Sequence, residues 1–447
     1  MSSPFFFRCI NSECGREYDT RESIYECPAC HDLLDLAYSF PDFDARELKD
    51  TFRSRRQSNH PLDQSGVWRF REFLPFEPDD YDLAVTFGEG NTPLVDAPRA
   101  AEYAGLAELK VKHLGWNPTG SFKDYGMTLG VTQARKLGVE AVACASTGNT
   151  SASMAAYAAR AGLRGIVFIP EGQIAFGKLA QTMEYGAQTL QIEGDFDKVM
   201  KLVRELARST GIYLLNSINP YRVEGQKTVV FELLDQLDWQ VPDRIVVPGG
   251  NLGHSASIGK ALWELKQLGL IDRIPRLTII QASGASPLHS MLASGLETLR
   301  PFAPARTHAT AIKIGGPVSW KKALRSLEFS DGWCDAVNEQ EIADAKAVLG
   351  RDGLGCEPAS ATTVAGLKKL LEANHGQDSV TIHPGEKVVA ILTGHQLKDP
   401  EYTVNYHFGK LELDSLEGDT REIESRFGNP PIRVPADLDK IRELLKL

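Results

Sequence analysis

The stretch on which the fold and the chemistry depend lies at positions 117–126 and reads Asn117-Pro118-Thr119-Gly120-Ser121-Phe122-Lys123-Asp124-Tyr125-Gly126. Asn-Pro and Thr-Gly are turn dipeptides, and Ser121 is predicted to cap the helix that follows. Lys123 then falls in the first helical turn, where the positive end of the helix dipole disfavours a cation. Such a lysine is either an ordinary surface residue or one whose ammonium pKa is lowered for nucleophilic work, because an unshifted amine is protonated at neutral pH.

The motif resembles the cofactor-lysine motif of fold-type II pyridoxal phosphate (PLP) enzymes, most closely that of the threonine synthase family. The resemblance implies that Lys123 is linked covalently to PLP and is the catalytic residue. The family usually has arginine where this chain has Tyr125, and the sequence leaves the role of Tyr125 open.

Short apolar runs alternate with amphipathic stretches through the middle of the chain, which is typical of βα units and a mainly parallel sheet. Strands are predicted at 141–145, 165–169, 188–192, 244–248, 277–281 and 388–393, and helices at 151–160, 177–185 and 196–207. The tail from Pro400 onward reads as polar and irregular, apart from a helix over 438–445.

These patterns predict an α/β fold, and the resemblance implies a fold-type II PLP enzyme with two doubly wound α/β domains plus a small N-terminal zinc-ribbon-like module. The predicted divisions are a module at 1–40, a helix and packed arm at 41–85, a catalytic body at 86–400 with a smaller α/β subdomain inserted at roughly 125–215, and a tail at 401–447.

Four of the seven cysteines lie in the first thirty residues, at Cys9, Cys14, Cys27 and Cys30. The spacing C-x4-C-x12-C-x2-C can place four thiolates around a structural zinc ion, although the first pair is two residues wider than usual. Two disulfides, or a ribbon that has lost its metal, are the alternatives. A zinc ion with all four positions filled by cysteine is structural and not catalytic.

Composition limits the classes of function. A net charge of -10 argues against nucleic acid as the main partner, and no apolar run is long enough for a membrane helix. The N-terminus lacks the charged region of a signal peptide, so a cytoplasmic location is predicted. Residues 66–75 mix aromatic and arginine side chains, which favours an arm packed on the main domain over a surface for stacking on bases.

A strand–turn–helix segment at 146–151 contains Asn149. The backbone N–H groups of such a turn suit an anion such as a carboxylate, although Thr150 and Ser151 could simply be helix caps. The resemblance implies that Asn149 hydrogen-bonds the 3′ oxygen of PLP. It also implies that the rest of the loop binds the substrate carboxylate through Thr147, Gly148 and Thr150.

A second strand–loop–helix segment is rich in glycine and spans 248–255. Successive N–H groups in such a loop can form a nest for a phosphate, although glycines after a strand are common. The resemblance places the phosphate of PLP at Gly249, Gly250, Asn251, Leu252, Gly253 and His254, and leaves the particular role of His254 open.

The run Thr393-Gly394-His395-Gln396-Leu397-Lys398-Asp399 ends the last predicted strand. By resemblance the hydroxyl of Thr393 faces the pyridine nitrogen of PLP. A hydroxyl does not hold that nitrogen as a full pyridinium, which suits elimination and replacement reactions. The segment 355–361 also resembles a family segment that borders the site, and no chemistry is assigned to it.

The segment 216–228 is the main indicator of the substrate. Arginine offers two parallel donors to a phosphate, and asparagine adds neutral donors. The alternative is that Arg222 pairs with Glu224 on the surface. The resemblance implies that Arg222 holds the substrate's phosphate, with Asn216 and Asn219 beside it.

Together the motifs cover residues from about 66 to 400 in the family's order. They imply a carbon–oxygen lyase that converts O-phospho-L-homoserine and water to L-threonine and phosphate, and a homodimer, which is usual for the fold. The alternatives are another fold-type II reaction, such as threonine dehydration or cysteate synthesis, and a catalytically inactive PLP-binding relative.

Overall fold

The computed structural model describes residues 4–171, 176–193, 196–373, 382–414 and 420–446. The N-terminal part is a three-stranded antiparallel sheet, in the order β2-β1-β3, followed by two helices. Its elements are β1 (Phe5–Cys9), β2 (Glu17–Tyr18), β3 (Leu34–Tyr38), α1 (Ala45–Arg56) and α2 (Pro61–Gln64). Asp44 caps α1 through hydrogen bonds from the N–H groups of Arg46 and Glu47.

The arm after α2 forms two 3-10 helices, Trp68–Phe73 and Pro78–Leu83. The rings of Trp68, Phe70 and Phe73 are fully buried. The ring of Phe73 lies 4.7 Å from that of Phe231, and Trp68 Nε1 donates to Thr128 Oγ1 at 2.8 Å. These aromatic side chains are therefore unavailable for stacking on bases.

The next part of the chain begins the large sheet and then builds the small one. It contains β4 (Leu94–Asp96), α3 (Pro98–Ala104), β5 (Leu109–His113), α4 (Lys123–Lys136), β6 (Ala141–Ala145), α5 (Asn149–Ala161), β7 (Arg164–Pro170), α6 (Phe176–Glu184), β8 (Gln188–Ile192), α7 (Phe196–Thr210) and β9 (Tyr213–Leu214). The small sheet is wholly parallel, in the order β8-β7-β6-β9.

The chain then returns to the large sheet and ends in a tail. These elements are α8 (Pro220–Gln236), β10 (Arg244–Pro248), α9 (Gly253–Gln267), β11 (Arg276–Ala282), α10 (Pro287–Ala293), α11 (Trp320–Phe329), β12 (Trp333–Val337), α12 (Glu339–Arg351), α13 (Pro358–Ala373), β13 (Val388–Leu392), α14 (Pro400–His407), β14 (Glu412–Asp414), β15 (Thr420–Glu422) and α15 (Leu438–Leu445). The large sheet has the order β12-β11-β10-β13-β5-β4, with only β4 antiparallel to its neighbour.

Helices cover both faces of the large sheet, as its strands require. Ile245 and Val247 of β10 pack into one apolar cluster with α8 and α9, while Val246 packs into another with α12 and α13. A strand that is buried on both faces reads as a continuous apolar run, and β10 shows that pattern.

Helices α4 and α8 approach so closely that their backbones touch. A Cβ at Gly225 would lie 1.9 Å from the carbonyl oxygen of Tyr125, and one at Gly126 would lie 2.7 Å from that of Arg222. Glycine is therefore required on both helices. The contact fixes Lys123, at the start of α4, relative to Arg222, in the first turn of α8.

Two sequence-based expectations about local structure are wrong. Ser121 does not cap α4, because the helix begins at Lys123 with Phe122 at the cap position, while Ser121 pairs with Gly394 in an antiparallel bridge. The tail is not irregular after Pro400, since α14 and the β14–β15 hairpin lie there. Among the described residues, no helix is long and apolar enough to cross a membrane.

Candidate active site

Lys123 lies where α4 meets the end of β13. The segment before it is held by hydrogen bonds from Phe122 N–H to Thr393 O at 3.0 Å and from His395 N–H to Gly120 O at 2.9 Å. The Lys123 side chain is partly exposed, as access by a small molecule requires. Its Nζ lies 3.5 Å from the centroid of the Phe122 ring.

Burial lowers the pKa of the Lys123 ammonium to about 7, and the cations of Arg222, Lys178 and Lys398 act in the same direction, while Glu357 opposes them. The expected lowering is therefore present, and its causes are desolvation first and neighbouring cations second, rather than the helix dipole alone. An amine with this pKa is substantially neutral at pH 7 and can act as nucleophile and base.

His254 lies against the same aromatic ring. The His254 and Phe122 rings are 4.3 Å apart with 31° between their planes. Burial lowers the pKa of His254 to about 3, and neighbouring Lys123 contributes. His254 is therefore neutral at physiological pH, and it brings the glycine-rich loop 249–253 to the side of Lys123.

Close packing explains the glycines of that loop. A Cβ at Gly249 would lie 2.6 Å from Ile279 Cγ2, and one at Gly250 would lie 3.1 Å from Ile312. Leu252 adopts a left-handed conformation with φ of 63° and precedes α9, which begins at Gly253. Asn251 donates through Nδ2 to Ser217 Oγ and accepts from Val318 N–H at 2.6 Å.

Glu357 is the functional residue that the sequence did not assign. It is fully buried and bridges two predicted cofactor ligands, accepting from Asn149 Nδ2 at 2.9 Å and from Thr393 Oγ1 at 3.0 Å. Ser360 fixes the turn beside it, since its Oγ accepts from Thr393 N–H at 2.8 Å and from Gly394 N–H at 3.2 Å. In the sequence, Glu357 directly precedes Pro358-Ala359-Ser360 at the start of α13, and this position could have indicated a role for it.

The loop at 146–151 forms the start of α5. Asn149 is the first helical residue and Gly148 the cap, so Thr150 and Ser151 are not helix caps. Ser151 Oγ donates back to Gly148 O at 2.7 Å, and Gly148 N–H donates to Ser146 Oγ at 3.1 Å. Thr147, Gly148 and Thr150 are partly exposed, and their contact with a substrate carboxylate stays a prediction.

Arg222 is buried and does not pair with Glu224. Its side chain is 2% exposed, Nη1 donates to Leu215 O at 2.9 Å, and Nε has no partner among the described residues. Burial lowers the pKa of the guanidinium to about 10. Glu224 instead pairs with Lys227 at 2.6 Å and with Lys260. The surface ion pair considered from the sequence is therefore wrong.

The two asparagines near Arg222 differ in what they can still bind. Asn219 caps α8, with Oδ1 accepting from Tyr221 N–H at 3.0 Å and Nδ2 donating to Leu214 O at 2.8 Å. It is fully buried, and its contact with the substrate's phosphate stays a prediction. Asn216 ties its amide to both backbone groups of Ala145, and its role toward a substrate stays a prediction.

Tyr125 is fully buried, and its hydroxyl lies in a cluster of polar side chains. Its hydroxyl lies 3.1 Å from Thr92 Oγ1 and 3.3 Å from both carboxylate oxygens of Glu232. Glu232 is also paired with buried Lys112. The tyrosine thus completes a buried polar cluster behind α4, away from the amine of Lys123.

Four buried polar atoms in the segments around Lys123 lack any partner among the described residues. They are Ser121 Oγ, Asn149 Oδ1, His254 Nε2 and Ser255 Oγ. Buried polar groups are nearly always hydrogen-bonded, so such a concentration marks where a polar ligand is bound. With the amine of Lys123 and the loop 249–253, these atoms fit PLP.

Comparison with known proteins gives the family. The sequence profile described as "Pyridoxal-phosphate dependent enzyme" matches residues 85–394. The chain is 44% identical to "Threonine synthase" of Methanocaldococcus jannaschii, covering 98% of this chain and 99% of that protein. It is 46% identical to "Threonine synthase" of Methanosarcina acetivorans, covering 90% and 94%. The chain belongs to the threonine synthase family.

The solved threonine synthase of Escherichia coli has the same fold, with a TM-score of 0.69 and 18% identity over 99% of each chain. The resemblance, the fold class and the PLP-dependent lyase chemistry predicted from the motifs are thereby confirmed. The predicted domain boundaries and the roles of single site residues stay predictions.

The four N-terminal cysteines of this threonine synthase family member form one cluster. Their sulfurs all lie within 4.8 Å of one another, and none is in a disulfide. Cys9 and Cys30 sulfurs are 3.3 Å apart, and those of Cys14 and Cys27 are 3.7 Å apart. Thiolates around tetrahedral zinc, with Zn–S of about 2.3 Å, lie about 3.8 Å apart. The cluster fits zinc.

Proposed function

We propose that the chain converts O-phospho-L-homoserine and water to L-threonine and phosphate. The observation that supports this substrate most directly is Arg222, a buried guanidinium with no carboxylate partner among the described residues. A buried charge without a counterion is costly, so a substrate dianion is the natural partner of this side chain. The carbonyl of Arg222 packs against Gly126, one turn after Lys123 in α4, and the cation of Arg222 lowers the pKa of Lys123.

Lys123 is the proposed catalytic base and acid. Its lowered pKa lets neutral Lys123 take the proton from the substrate's Cα. Once it has passed that proton on to the bound cofactor, Lys123 would take a proton from Cβ as the phosphate leaves Cγ, and would give one to Cγ, which becomes the methyl group, before water adds at Cβ. The three protons released by Cα, Cβ and the water end on Cγ, on Cα and on the phosphate. PLP, when bound, supplies the electron sink for negative charge at Cα. Burial beside the Phe122 ring limits the access of bulk water to the amine.

The other residues are proposed to position the reactants. The loop 249–253 with His254 holds the cofactor phosphate, while Asn149 and Thr393 hold the ring. Glu357 is proposed to orient both of these side chains through its two hydrogen bonds. Thr147, Gly148 and Thr150 bind the substrate carboxylate at the N-terminus of α5, where the helix dipole favours an anion.

The decisive experiment measures phosphate release from O-phospho-L-homoserine by the PLP-loaded protein, with L-threonine identified as the second product. Equal rates of both products are expected. Phosphate together with an oxo acid would mean elimination without addition of water, and oxo acid from L-threonine would mean a dehydratase.

A variant then tests the phosphate contact. Arg222→Met is expected to lose most turnover of phosphohomoserine while it still binds PLP. Arg208→Met, at an exposed position of α7, is the control and should behave as wild type. Full turnover by Arg222→Met would remove Arg222 from the substrate site.

A homodimer and a cytoplasmic location remain part of the proposal. Light scattering on the purified protein tests the first, with a mass near twice that of the 49.1 kDa chain expected. A monomeric mass that retained full activity would contradict it.

A further inference from the structure

A cavity of about 490 Å³ lies between α12, α14 and residues 427–429, outside the site around Lys123. Its lining includes three basic side chains, Lys346, Arg351 and His407, and no acidic residue. A lining with one sign of charge concentrates ions of the opposite sign.

Lys346 is the centre of this charge. It is only 8% exposed, and its Nζ donates to Thr403 Oγ1 at 2.8 Å. Among the described residues, no carboxylate lies within ion-pairing distance of it. Burial lowers the pKa of the Lys346 ammonium; Cys356 and Asp399 oppose this, but the Asp399 carboxylate already pairs with Lys178 at 3.1 Å. A cation that is both buried and unpaired is costly unless a ligand neutralises it.

The two other basic groups converge on the same space. Lys346, Arg351 and His407 line the same cavity. Burial lowers the pKa of His407, and the charges of Lys346 and Arg351 lower it further, so its imidazole is neutral near pH 7 and contributes a hydrogen bond rather than a charge. The guanidinium of Arg351 lies 5.0 Å from the centroid of the Phe427 ring, and Lys346 Nζ lies 5.8 Å from that of Tyr402. Aromatic walls therefore accompany the cations.

We propose that this cavity is an effector site for a small dianion, a metabolite that bears a phosphate or two carboxylates on a short carbon body. Lys346, Arg351 and His407 bind the anionic groups, and the rings of Tyr402 and Phe427 contact the carbon body. The cavity volume exceeds the few tens of cubic ångströms that a single water occupies.

Two short segments connect the cavity with the catalytic residues, so that a bound anion can act on the site through them. Gly355 and Gln396 line the cavity and lie in close contact with each other. The next residues inward, Cys356 and His395, pair in an antiparallel bridge, and Glu357 N–H donates to Gly394 O at 3.0 Å. These segments end at the Glu357–Thr393 hydrogen bond. The coupling rests on the proposed function, whereas binding to the cavity does not.

The binding test is isothermal titration of succinate into the PLP-loaded protein, repeated with inorganic phosphate to separate dicarboxylate from phosphate ligands. One equivalent of at least one anion is expected to bind. Lys346→Met should weaken binding at least tenfold, and Arg351→Met should weaken it in the same direction. Lys368→Met, whose lysine pairs with Glu372 on α13, is the matched control and should bind as wild type.

Several results would overturn the proposal. They are absence of binding by both anions, equal affinity of wild type and both cavity variants, and loss of binding in Arg222→Met with retention in Lys346→Met. The last result would place the anion in the catalytic site. Because titration needs no turnover, its outcome is independent of the reaction assay.

The effector role has its own readout. A saturating concentration of the bound anion should change the rate of phosphate release from phosphohomoserine at least twofold in wild type. The same concentration should leave the rate of Lys346→Met unchanged. An unchanged wild-type rate at full occupancy would refute the coupling.

Discussion

The protonation state of Lys123 should control how fast the apoprotein takes up PLP, because only a neutral amine attacks an aldehyde. With a pKa of about 7, the neutral fraction is about 0.1 at pH 6 and about 0.9 at pH 8. The uptake rate is therefore expected to rise about tenfold between these values and to level off above pH 8. A lysine with the usual pKa near 10.4 would give a rise of about a hundredfold over the same interval and would continue to rise to pH 10.

Arg222→Met tests the cause of that pKa. Removing a nearby cation raises the pKa of Lys123, so the midpoint of the uptake profile should move to higher pH. Each unit of increase lowers the neutral fraction at pH 6 about tenfold. Arg208→Met is the control and should keep the wild-type midpoint.

Stopped-flow absorbance of the bound cofactor gives the uptake rate, and a blocked lysine peptide measured in parallel corrects for the titration of PLP itself. Uptake that still rises tenfold per unit above pH 8 would refute the lowered pKa. An unchanged midpoint in Arg222→Met would refute the contribution of that arginine.

Three further predictions follow from buried charges and thiols. Glu357→Gln should reduce kcat at least about tenfold and change KM by a smaller factor, because hydrogen bonds to a charged group contribute about 1.5–3 kcal/mol. A KM that changes by as large a factor as kcat would contradict a positioning role. Lys227→Met should cost about 3–5 kcal/mol in urea unfolding, since it leaves the two buried carboxylates of Glu224 and Glu264 with Lys260 as their one shared cation among the described residues. Lys368→Met should cost less than about 1 kcal/mol. Metal analysis should find one zinc per chain in wild type and none in Cys27→Ser, and the variant should melt at a lower temperature than wild type. A wild-type protein that contains no zinc and melts at the same temperature as Cys27→Ser would contradict the zinc site.

Local patterns were enough to predict most of the sheets. The strands at 141–145 and 244–248 have the predicted bounds, because buried parallel strands are continuous apolar runs between turns. The strand at 188–192 also has the predicted bounds, although it is a largely exposed strand at the edge of the small sheet. The helix α14 was not predicted, since its sequence shows no marked apolar periodicity and its support comes from Tyr402 and Tyr406 packing on α12.

The residues of the site likewise fall into two groups: those in a local sequence motif, and those whose role depends on residues distant in the sequence. Lys123, Arg222 and the glycine loop stand out in the sequence because their motifs are local. The role of Glu357 depends on Asn149, 208 positions away, and on Thr393, 36 positions away, so no local pattern contains it. Ser121 was misjudged for the same reason, since its backbone pairs with distant Gly394.

The backbone contact between α4 and α8 fixes the distance between Lys123 and Arg222. Lys123 lies on α4 and Arg222 on α8, and the two helices touch at Gly126 and Gly225. A side chain added at either glycine would push the helices apart. The distance from the amine of Lys123 to Arg222, the proposed phosphate ligand, is therefore set by helix packing rather than by any loop. Loop changes can alter which groups are tolerated around the substrate's carboxylate, but a phosphorylated amino acid one carbon longer would need a different distance between the helices.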